Sequence, residues 1–130
     1  APYSSDNTFD FSSTDASAGF KAEHFVQQGL SCSFTINDVP FSMHSIGKHN
    51  MENALAATTI AARCGVAIAT SAEALKSYEG IYRRNQVLGQ KNNVWVIDDY
   101  AHNPAKVAAA ITGVQPLTEK VVAWFQPHGY

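Results

Sequence analysis

The sequence predicts an α/β protein, and three patterns carry that prediction. Residues 19–46 alternate apolar and polar side chains with a period of two, which predicts a small antiparallel meander. From position 49 the apolar residues recur at intervals of three and four, which is typical of a helix. Later, the apolar run "VWVID" at 94–98 predicts a buried strand of a parallel sheet.

Length and composition narrow the class of protein. The chain has 130 residues, 15% of them charged, and a net charge of −2, which argues against a nucleic-acid binder or a membrane-surface protein. No apolar stretch approaches the roughly 18–20 residues of a membrane helix. Cys32 and Cys64 match no zinc or redox spacing, so we expect reduced thiols in a cytoplasmic protein. The chain begins without Met and ends just after "VVAWF", so we expect a fragment of a longer protein.

The meander is predicted strand by strand. Residues 1–18 are rich in Ser, Asp and Thr and are expected to be loop. In "LSCSFTIND" the apolar side chains occupy one face, while Ser and Thr occupy the other. "NDVP" at 37–40 predicts the next turn, and "FSMHSIG" at 41–47 continues the alternation.

Helices follow the meander. The apolar spacing from His49 to Cys64 predicts one helix, and Gly65 is a typical residue just beyond a helix end. A second helix is expected from Ser71 to about Tyr78, because "TSAEAL" resembles a capping box.

The last third predicts a strand–helix–strand unit. Residues 79–93 suggest loop or edge strand with a turn at 90–93. After the strand at 94–98, "NPAKVAAAITGV" predicts a helix with Pro104 in its first turn. "KVVAWF" at 120–125 predicts a second buried strand, so residues 94–126 would form a right-handed crossover.

Two asparagines at the start of the first helix need an explanation. Asn50 and Asn53 are three residues apart and therefore share a helix face. Helix capping would explain Asn50, because Asn accepts hydrogen bonds from free backbone N–H groups. It explains Asn53 poorly, since Asn is unfavourable inside a helix. Two amides also suit the edge of a purine base, and a helix start favours a nearby phosphate.

Further polar residues cluster where strands end. Asp98 and Asp99 follow the predicted strand at 94–98, where ligands bind in open α/β sheets, although capping or solvated charge would also explain them. His102 lies in the next loop and His128 follows the second predicted strand; a loop histidine is often only a surface residue. The adjacent pair at 83–84 suits phosphate, or is simply solvated. These residues would converge if the two sheets face each other across a cleft.

The order of four motifs resembles the Mur ligase family. "GKHNMENALAA", "YRRNQVLG", "VIDDYAHNP" and "VVAWFQPH" occur in the family's order and spacing over residues 19–130. The resemblance implies that residues 1–79 are the tail of the family's central ATPase domain. Residues 80–130 would then begin its Rossmann-like C-terminal domain.

The resemblance also implies roles for individual residues. ATP is the expected cofactor, with Mg²⁺ whose ligands would lie in an upstream part that this chain lacks. By the resemblance, Asn50 and Asn53 would contact the adenine of ATP, and His49 would pack near the base. Arg84 would reach the phosphates, and Asp99 would bind the ribose hydroxyls. Tyr100, His102 and His128 would lie near the acceptor or the transferred phosphate, and Arg84 and His102 are the catalytic candidates. No metal ligand is expected within this chain.

Substrates follow from the same resemblance. The motifs are most similar to ligases that join L-alanine to UDP-N-acetylmuramate through an acyl phosphate in peptidoglycan synthesis. Ala101, Asn103 and Gly129 depart from that pattern, and Asn85 stands where the family commonly has Phe. Three alternatives therefore stay open: a ligase that recycles a murein tripeptide, a ligase with a non-murein acceptor, and a Mur-fold nucleotide-binding module. Neither nucleic acid nor membrane is an expected partner, the oligomeric state stays open, and the fragment alone is expected to be inactive.

Overall fold

The computed structural model describes residues 10–127, which form two sheets and three helices. The α/β class is thereby confirmed. The elements are, in order, β1 (Phe11–Ser12), β2 (Phe20–Gln28), β3 (Ser31–Ile36), β4 (Val39–Met43), α1 (Lys48–Arg63), α2 (Ile68–Lys76), β5 (Gln86–Lys91), β6 (Val94–Asp98) and α3 (Pro104–Val114). A short 3₁₀ turn, Gln115–Leu117, follows α3. Among residues 10–127, no helix combines the length and apolar character needed to cross a bilayer.

The predicted meander is confirmed. Strands β2, β3 and β4 pair antiparallel in that order, and β1, within the segment predicted as loop, adds a short parallel strand beside β2. On β3 the alternate residues Cys32, Phe34 and Ile36 are buried, as their spacing predicts. Asn37 and Asp38 both have positive φ, which matches the twist of a tight hairpin, so β4 already begins at Val39.

Helices α1 and α2 cover the buried face of this sheet. Met51 and Leu55 of α1 are 1% exposed and join the apolar side chains of β3 and β4 in one core. Helix α1 agrees with its prediction, but α2 begins at Ile68 rather than Ser71. Ser71 is buried within α2 and caps nothing, so the capping-box interpretation is wrong. The reason is packing, because Ile68 and Ala72 lie one turn apart and both reach the core.

The predicted strand–helix–strand unit is wrong in the structure. Strand β6 pairs antiparallel with β5, and Val94 and Val96 on it are 63% and 53% exposed. Residues 120–125 form no strand, and Trp124 is 96% exposed. A buried parallel strand needs neighbours on both edges, whereas β5 is the one strand within residues 10–127 that pairs with β6. Helix α3, with Pro104 in its first turn, is confirmed.

A close junction joins the two sheets. The Gln27 side chain on β2 accepts a hydrogen bond from the Gly47 N–H at 2.9 Å and donates one to the Gly113 carbonyl at 3.0 Å. A Cβ added at Gly113 would lie 3.3 Å from the Gly47 Cα. The start of α1 and the end of α3 are therefore held together by one side-chain amide. The sheets occupy residues on either side of position 80, while the domain division at 79/80 stays a prediction.

Candidate functional site

The start of α1 carries the two asparagines, and neither caps the helix. Gly47 occupies the N-cap position with φ of 87°, a left-handed conformation that favours glycine, and no side chain caps this end. The Asn50 amide nitrogen instead donates to the Ile46 carbonyl at 2.8 Å. The Asn53 side-chain nitrogen donates to Asn50 Oδ1 at 3.4 Å. The side-chain oxygen of Asn53, Oδ1, has no protein partner among residues 10–127. The capping interpretation of Asn50 is therefore wrong.

A hydrogen-bonded chain connects α1 to the end of β6. The Asn85 side-chain nitrogen lies 3.0 Å from His49 Nε2, and because that nitrogen can only donate, Nε2 accepts. The backbone N–H of Asn85 donates to Asp99 Oδ2 at 2.8 Å. His49 and Asp99, which the sequence places 50 positions apart, thus meet through one residue.

The surroundings of His49 shift its pKa. Burial lowers the pKa of His49 below its ordinary value, and the nearby carboxylates of Asp99 and Glu52 oppose that effect. The direction agrees with the hydrogen bond from Asn85, which requires an unprotonated Nε2. With the Asn85 amide in this orientation, its partner is a neutral His49 ring that carries its proton on Nδ1.

The lowered pKa of His49 makes stability depend on pH. The unfolded chain binds this proton more readily than the folded chain, so the stabilisation is complete above the ordinary value of 6.5 and is lost as the pH falls through the lower folded-state pKa. We expect the free energy of unfolding to fall between about pH 7.5 and pH 5 more steeply for the wild type than for His49→Gln. Gln keeps an acceptor for Asn85 but carries no titrating proton. Urea unfolding at several pH values measures this, and equal slopes would contradict the assignment.

The two adjacent arginines have different surroundings. Arg83 Nε lies 3.2 Å from Asp98 Oδ2, and its guanidinium carbon lies 5.1 Å from the centre of the Tyr100 ring. Arg84 is exposed, and its guanidinium has no protein partner among residues 10–127. It lines a cavity of about 240 Å³ together with Asn85. Arg83 thus holds the loop after β6, whereas Arg84 is free to bind an anion.

The loop between β6 and α3 is held by its own hydrogen bonds. Tyr100 N–H donates to the Arg83 carbonyl at 2.8 Å, and the His102 Nδ1 atom lies 3.0 Å from the Tyr100 carbonyl. Lys106 Nζ lies 3.3 Å from His102 Nε2. A His102 ring with its proton on Nδ1 satisfies both contacts, because Nδ1 then donates and Nε2 accepts.

The cap of α3 settles the alternative interpretation of the two aspartates. Asn103 caps α3 by accepting from the Lys106 N–H at 2.9 Å. Asp98 pairs with Arg83 and Asp99 accepts from Asn85, so neither caps the helix. The capping interpretation of Asp98 and Asp99 is therefore wrong.

The structure links two of the predicted site residues, His49 and Asp99, through a third residue. His49 and Asp99 are linked through Asn85, with Arg84 next to it in the chain. Tyr100 and His102 contact each other farther along the loop, with ring centres 5.4 Å apart. His128 lies outside the described residues. Sequence reasoning missed Asn85 as a site residue, although its departure from the family motif was a signal.

The chemistry of this site suits a ligand with several different groups. Side-chain amides can pair with the edge of a base, the second oxygen of Asp99 can accept from hydroxyls, and a free guanidinium can meet phosphate. Among residues 10–127, no three His, Cys, Asp or Glu side chains gather as a metal site. The expectation that Mg²⁺ ligands lie upstream of this chain stays a prediction.

Comparison with known sequences links these residues to one enzyme family. Residues 83–128 match the family described as Mur ligase, glutamate ligase domain. The chain is 38% identical over 90 residues to UDP-N-acetylmuramate–L-alanine ligase of Endomicrobium trichonymphae, which is 68% of this chain and 20% of that protein. It is 43% identical over 91 residues to the ligase of the same name from Anaeromyxobacter sp. strain Fw109-5, and this match covers 69% of this chain and 20% of that protein. The chain therefore spans about a fifth of the length of these curated relatives.

Solved structures agree with the fold. The UDP-N-acetylmuramate–alanine ligase of Thermotoga maritima superposes with a TM-score of 0.70 at 24% identity, over 82% of this chain and 26% of that one. A murein peptide ligase of Psychrobacter arcticus 273-4 superposes with a TM-score of 0.56 at 30% identity, over 83% of this chain and 24% of that one. At 24% identity, the similarity to the Thermotoga maritima ligase supports the fold alone.

Proposed function

Because the chain belongs to the Mur ligase family over the residues that these relatives match, we propose that it is part of an ATP-dependent ligase of peptidoglycan synthesis. The full protein would join L-alanine to UDP-N-acetylmuramate, as the names of its relatives say of them. One observation carries the proposal for this chain. The link His49–Asn85–Asp99 joins the polar start of α1 to the carboxylate at the end of β6, beside the free Arg84.

Each side of this link would hold a different part of ATP. Asn50 and Asn53 would pair with the adenine edge, since amides supply both donors and acceptors. Asp99 would accept from the ribose hydroxyls through the oxygen that Asn85 does not occupy. Arg84 would meet the phosphates, because its guanidinium is exposed and unpaired among residues 10–127. When bound, ATP supplies the phosphoryl group that activates a carboxylate.

The reaction that these residues would serve is amide formation through an acyl phosphate. The muramoyl carboxylate would take the γ-phosphoryl group of ATP and release ADP. The amine nitrogen of L-alanine would then attack the acyl carbon, and inorganic phosphate would leave as the nitrogen loses a proton. Negative charge on phosphate is the electrostatic problem, so the contribution of Arg84 would be charge stabilisation. Tyr100 and His102 contact each other in the loop between β6 and α3, and they would face the transferred phosphate or the acceptor.

A second candidate is a ligase that attaches a murein tripeptide to UDP-N-acetylmuramate. The murein peptide ligase of Psychrobacter arcticus is 30% identical over 83% of this chain, which favours this candidate. Ala101 and Asn103 also depart from the motif of the L-alanine ligases. Asn103 is the N-cap of α3, so the fold explains an asparagine at that position, whereas Ala101 makes no such contact.

Phosphate release separates the two candidates. We would give the full-length protein ATP, Mg²⁺ and UDP-N-acetylmuramate, and add either L-alanine or the L-alanyl-γ-D-glutamyl-meso-diaminopimelate tripeptide. Release with L-alanine is the expected result, and release with the tripeptide alone would assign the recycling reaction. Omitting UDP-N-acetylmuramate is the control for plain ATP hydrolysis. The isolated 130-residue chain is expected to release no phosphate. Silence of the full-length protein with both acceptors would contradict both candidates.

A further inference from the structure

Asn85 occupies a position that no proposed role yet explains. It is 8% exposed, although it lies in a connecting segment directly after the exposed Arg84. Its backbone has φ of 46°, a left-handed conformation that Asn tolerates better than most residues. Buried asparagines are uncommon unless their amides have partners, so its contacts identify its role.

Both ends of Asn85 contact proposed nucleotide-binding residues. Its side-chain nitrogen lies 3.0 Å from His49 Nε2, 36 positions away in the chain. Its backbone N–H donates to Asp99 Oδ2 at 2.8 Å, 14 positions away. His49 belongs to α1, and Asp99 follows β6. Among residues 10–127, these contacts form the hydrogen-bonded route between the two side chains.

The amide of Asn85 also selects the state of the His49 ring. A nitrogen that only donates needs an acceptor at Nε2, so the contact requires the ring proton on Nδ1. Reversing the amide would place its oxygen against Nε2 and would require a protonated Nε2. A neutral ring with its proton on Nε2 would satisfy that reversed arrangement. The doubly protonated, charged ring is favoured by the carboxylates of Asp99 and Glu52 and disfavoured by burial. As oriented, the Asn85 oxygen is buried without a partner, so the contact to His49 and the backbone bond to Asp99 are what hold the residue.

We propose that Asn85 is a positioning residue that fixes the His49 ring and the Asp99 carboxylate relative to each other. The base side and the ribose side of the nucleotide site are then set by a single residue. This inference rests on the proposed function and goes beyond it, because Asn85 itself need not touch the nucleotide. Phe, which the family commonly has at this position, would lack the amide and would be strained at this φ.

Three variants of the full-length protein test the role. Asn85→Ala removes the amide and keeps the backbone N–H. Asn85→Asp keeps the shape but replaces the donor with an acceptor, so it favours a protonated His49 Nε2. Asn92→Ala is the matched control, since Asn92 is an exposed asparagine with φ of 52° in the hairpin turn between β5 and β6. It reproduces the backbone effect of losing an asparagine without touching His49.

Two readouts are needed. Nuclear magnetic resonance of ¹⁵N-histidine-labelled protein reports the proton position on His49, and steady-state kinetics report KM for ATP separately from kcat. We expect Asn85→Ala to mix the two neutral forms of His49 and to raise KM for ATP about tenfold, with kcat within about twofold. Asn85→Asp is expected to raise the pKa of His49, and Asn92→Ala to leave both readouts unchanged.

The outcomes separate this inference from the proposed function. An unchanged His49 signal in both Asn85 variants would overturn the positioning role, whatever the activity. A KM for ATP that rises no more in Asn85→Ala than in Asn92→Ala would overturn it as well. Absence of ATP-dependent turnover in the wild type would instead sink the proposed function, and the His49 signal would still decide the contact. If Asn85→Ala fails to fold, the isosteric Asn85→Asp carries the test.

Discussion

Replacing Arg84 with alanine is expected to lower kcat/KM for ATP of the full-length protein about 100-fold, the usual cost of losing one charge-stabilising donor at a reacting centre. The Arg84 guanidinium is exposed, lines the cavity beside Asn85, and has no protein partner among residues 10–127. Its removal should therefore cost little stability, since no protein contact is lost. Initial rates at varied ATP concentration, together with urea unfolding, measure both quantities.

Arg83→Ala is the matched control for this experiment. Arg83 is paired with Asp98 and lies over the Tyr100 ring, so its loss should loosen the loop after β6. Exposed ion pairs contribute little, so we expect kcat/KM to fall less than about tenfold. Arg84→Lys should fall between, because Lys keeps the charge but loses the planar fork. Equal effects of the two alanine variants would contradict the separate roles, and an unaffected Arg84→Ala would remove Arg84 from the site.

Replacing Gly47 with alanine is expected to reduce the free energy of unfolding by about 2–5 kcal/mol. Part of this is the left-handed backbone, with φ of 87°, which costs an alanine about 1–2 kcal/mol. The rest is crowding, which typically costs about 1–3 kcal/mol. The added Cβ would lie 2.5 Å from His49 Cε1 and 3.3 Å from the Gly113 Cα. The His49 ring cannot swing away without breaking its hydrogen bond with Asn85. Urea unfolding measures the loss.

Gly65→Ala isolates the backbone part of this effect. Gly65 has nearly the same φ, 86°, but nothing lies within 4 Å of a Cβ added there. We therefore expect a loss of about 1–2 kcal/mol at Gly65. The difference between the two variants then reports how strongly the His49 ring and Gly113 crowd the added Cβ. Equal losses would mean that neither His49 nor Gly113 crowds a side chain at position 47.

Local patterns predicted the elements whose burial is one-sided. The period of two in β3 and the spacing of three and four in α1 both place apolar residues on one face, and the structure buries those faces. The apolar run at 94–98 lacks such an alternation, so it indicates a strand but not its neighbours. The prediction of a parallel strand is wrong, because β6 pairs antiparallel with β5. Strand pairing depends on distant residues, and a short run of sequence carries no record of them.

The candidate site shows the same division. Polar residues at the ends of elements could be predicted, because helix starts and strand ends are where ligands bind. Asp99 is predicted on that basis, the arginine pair at 83–84 by its suitability for phosphate, and His49 by the resemblance alone. Asn85 and Gln27 could not be expected, since their contacts join residues that are 14 to 86 positions apart. Which amide bridges which pair is fixed only by packing.

The start of α1 and the end of β6 would form two sides of one nucleotide site. Calorimetric titration of the full-length protein with ATP and Mg²⁺ tests it most directly, using Asn53→Ala from one side and Asp99→Asn from the other. Asn53 is exposed and Asp99→Asn keeps the side-chain shape, so both variants should fold. We predict that each weakens binding about tenfold, with Glu73→Gln on α2 as an unaffected control. Wild-type affinity in either Asn53→Ala or Asp99→Asn would contradict the claim.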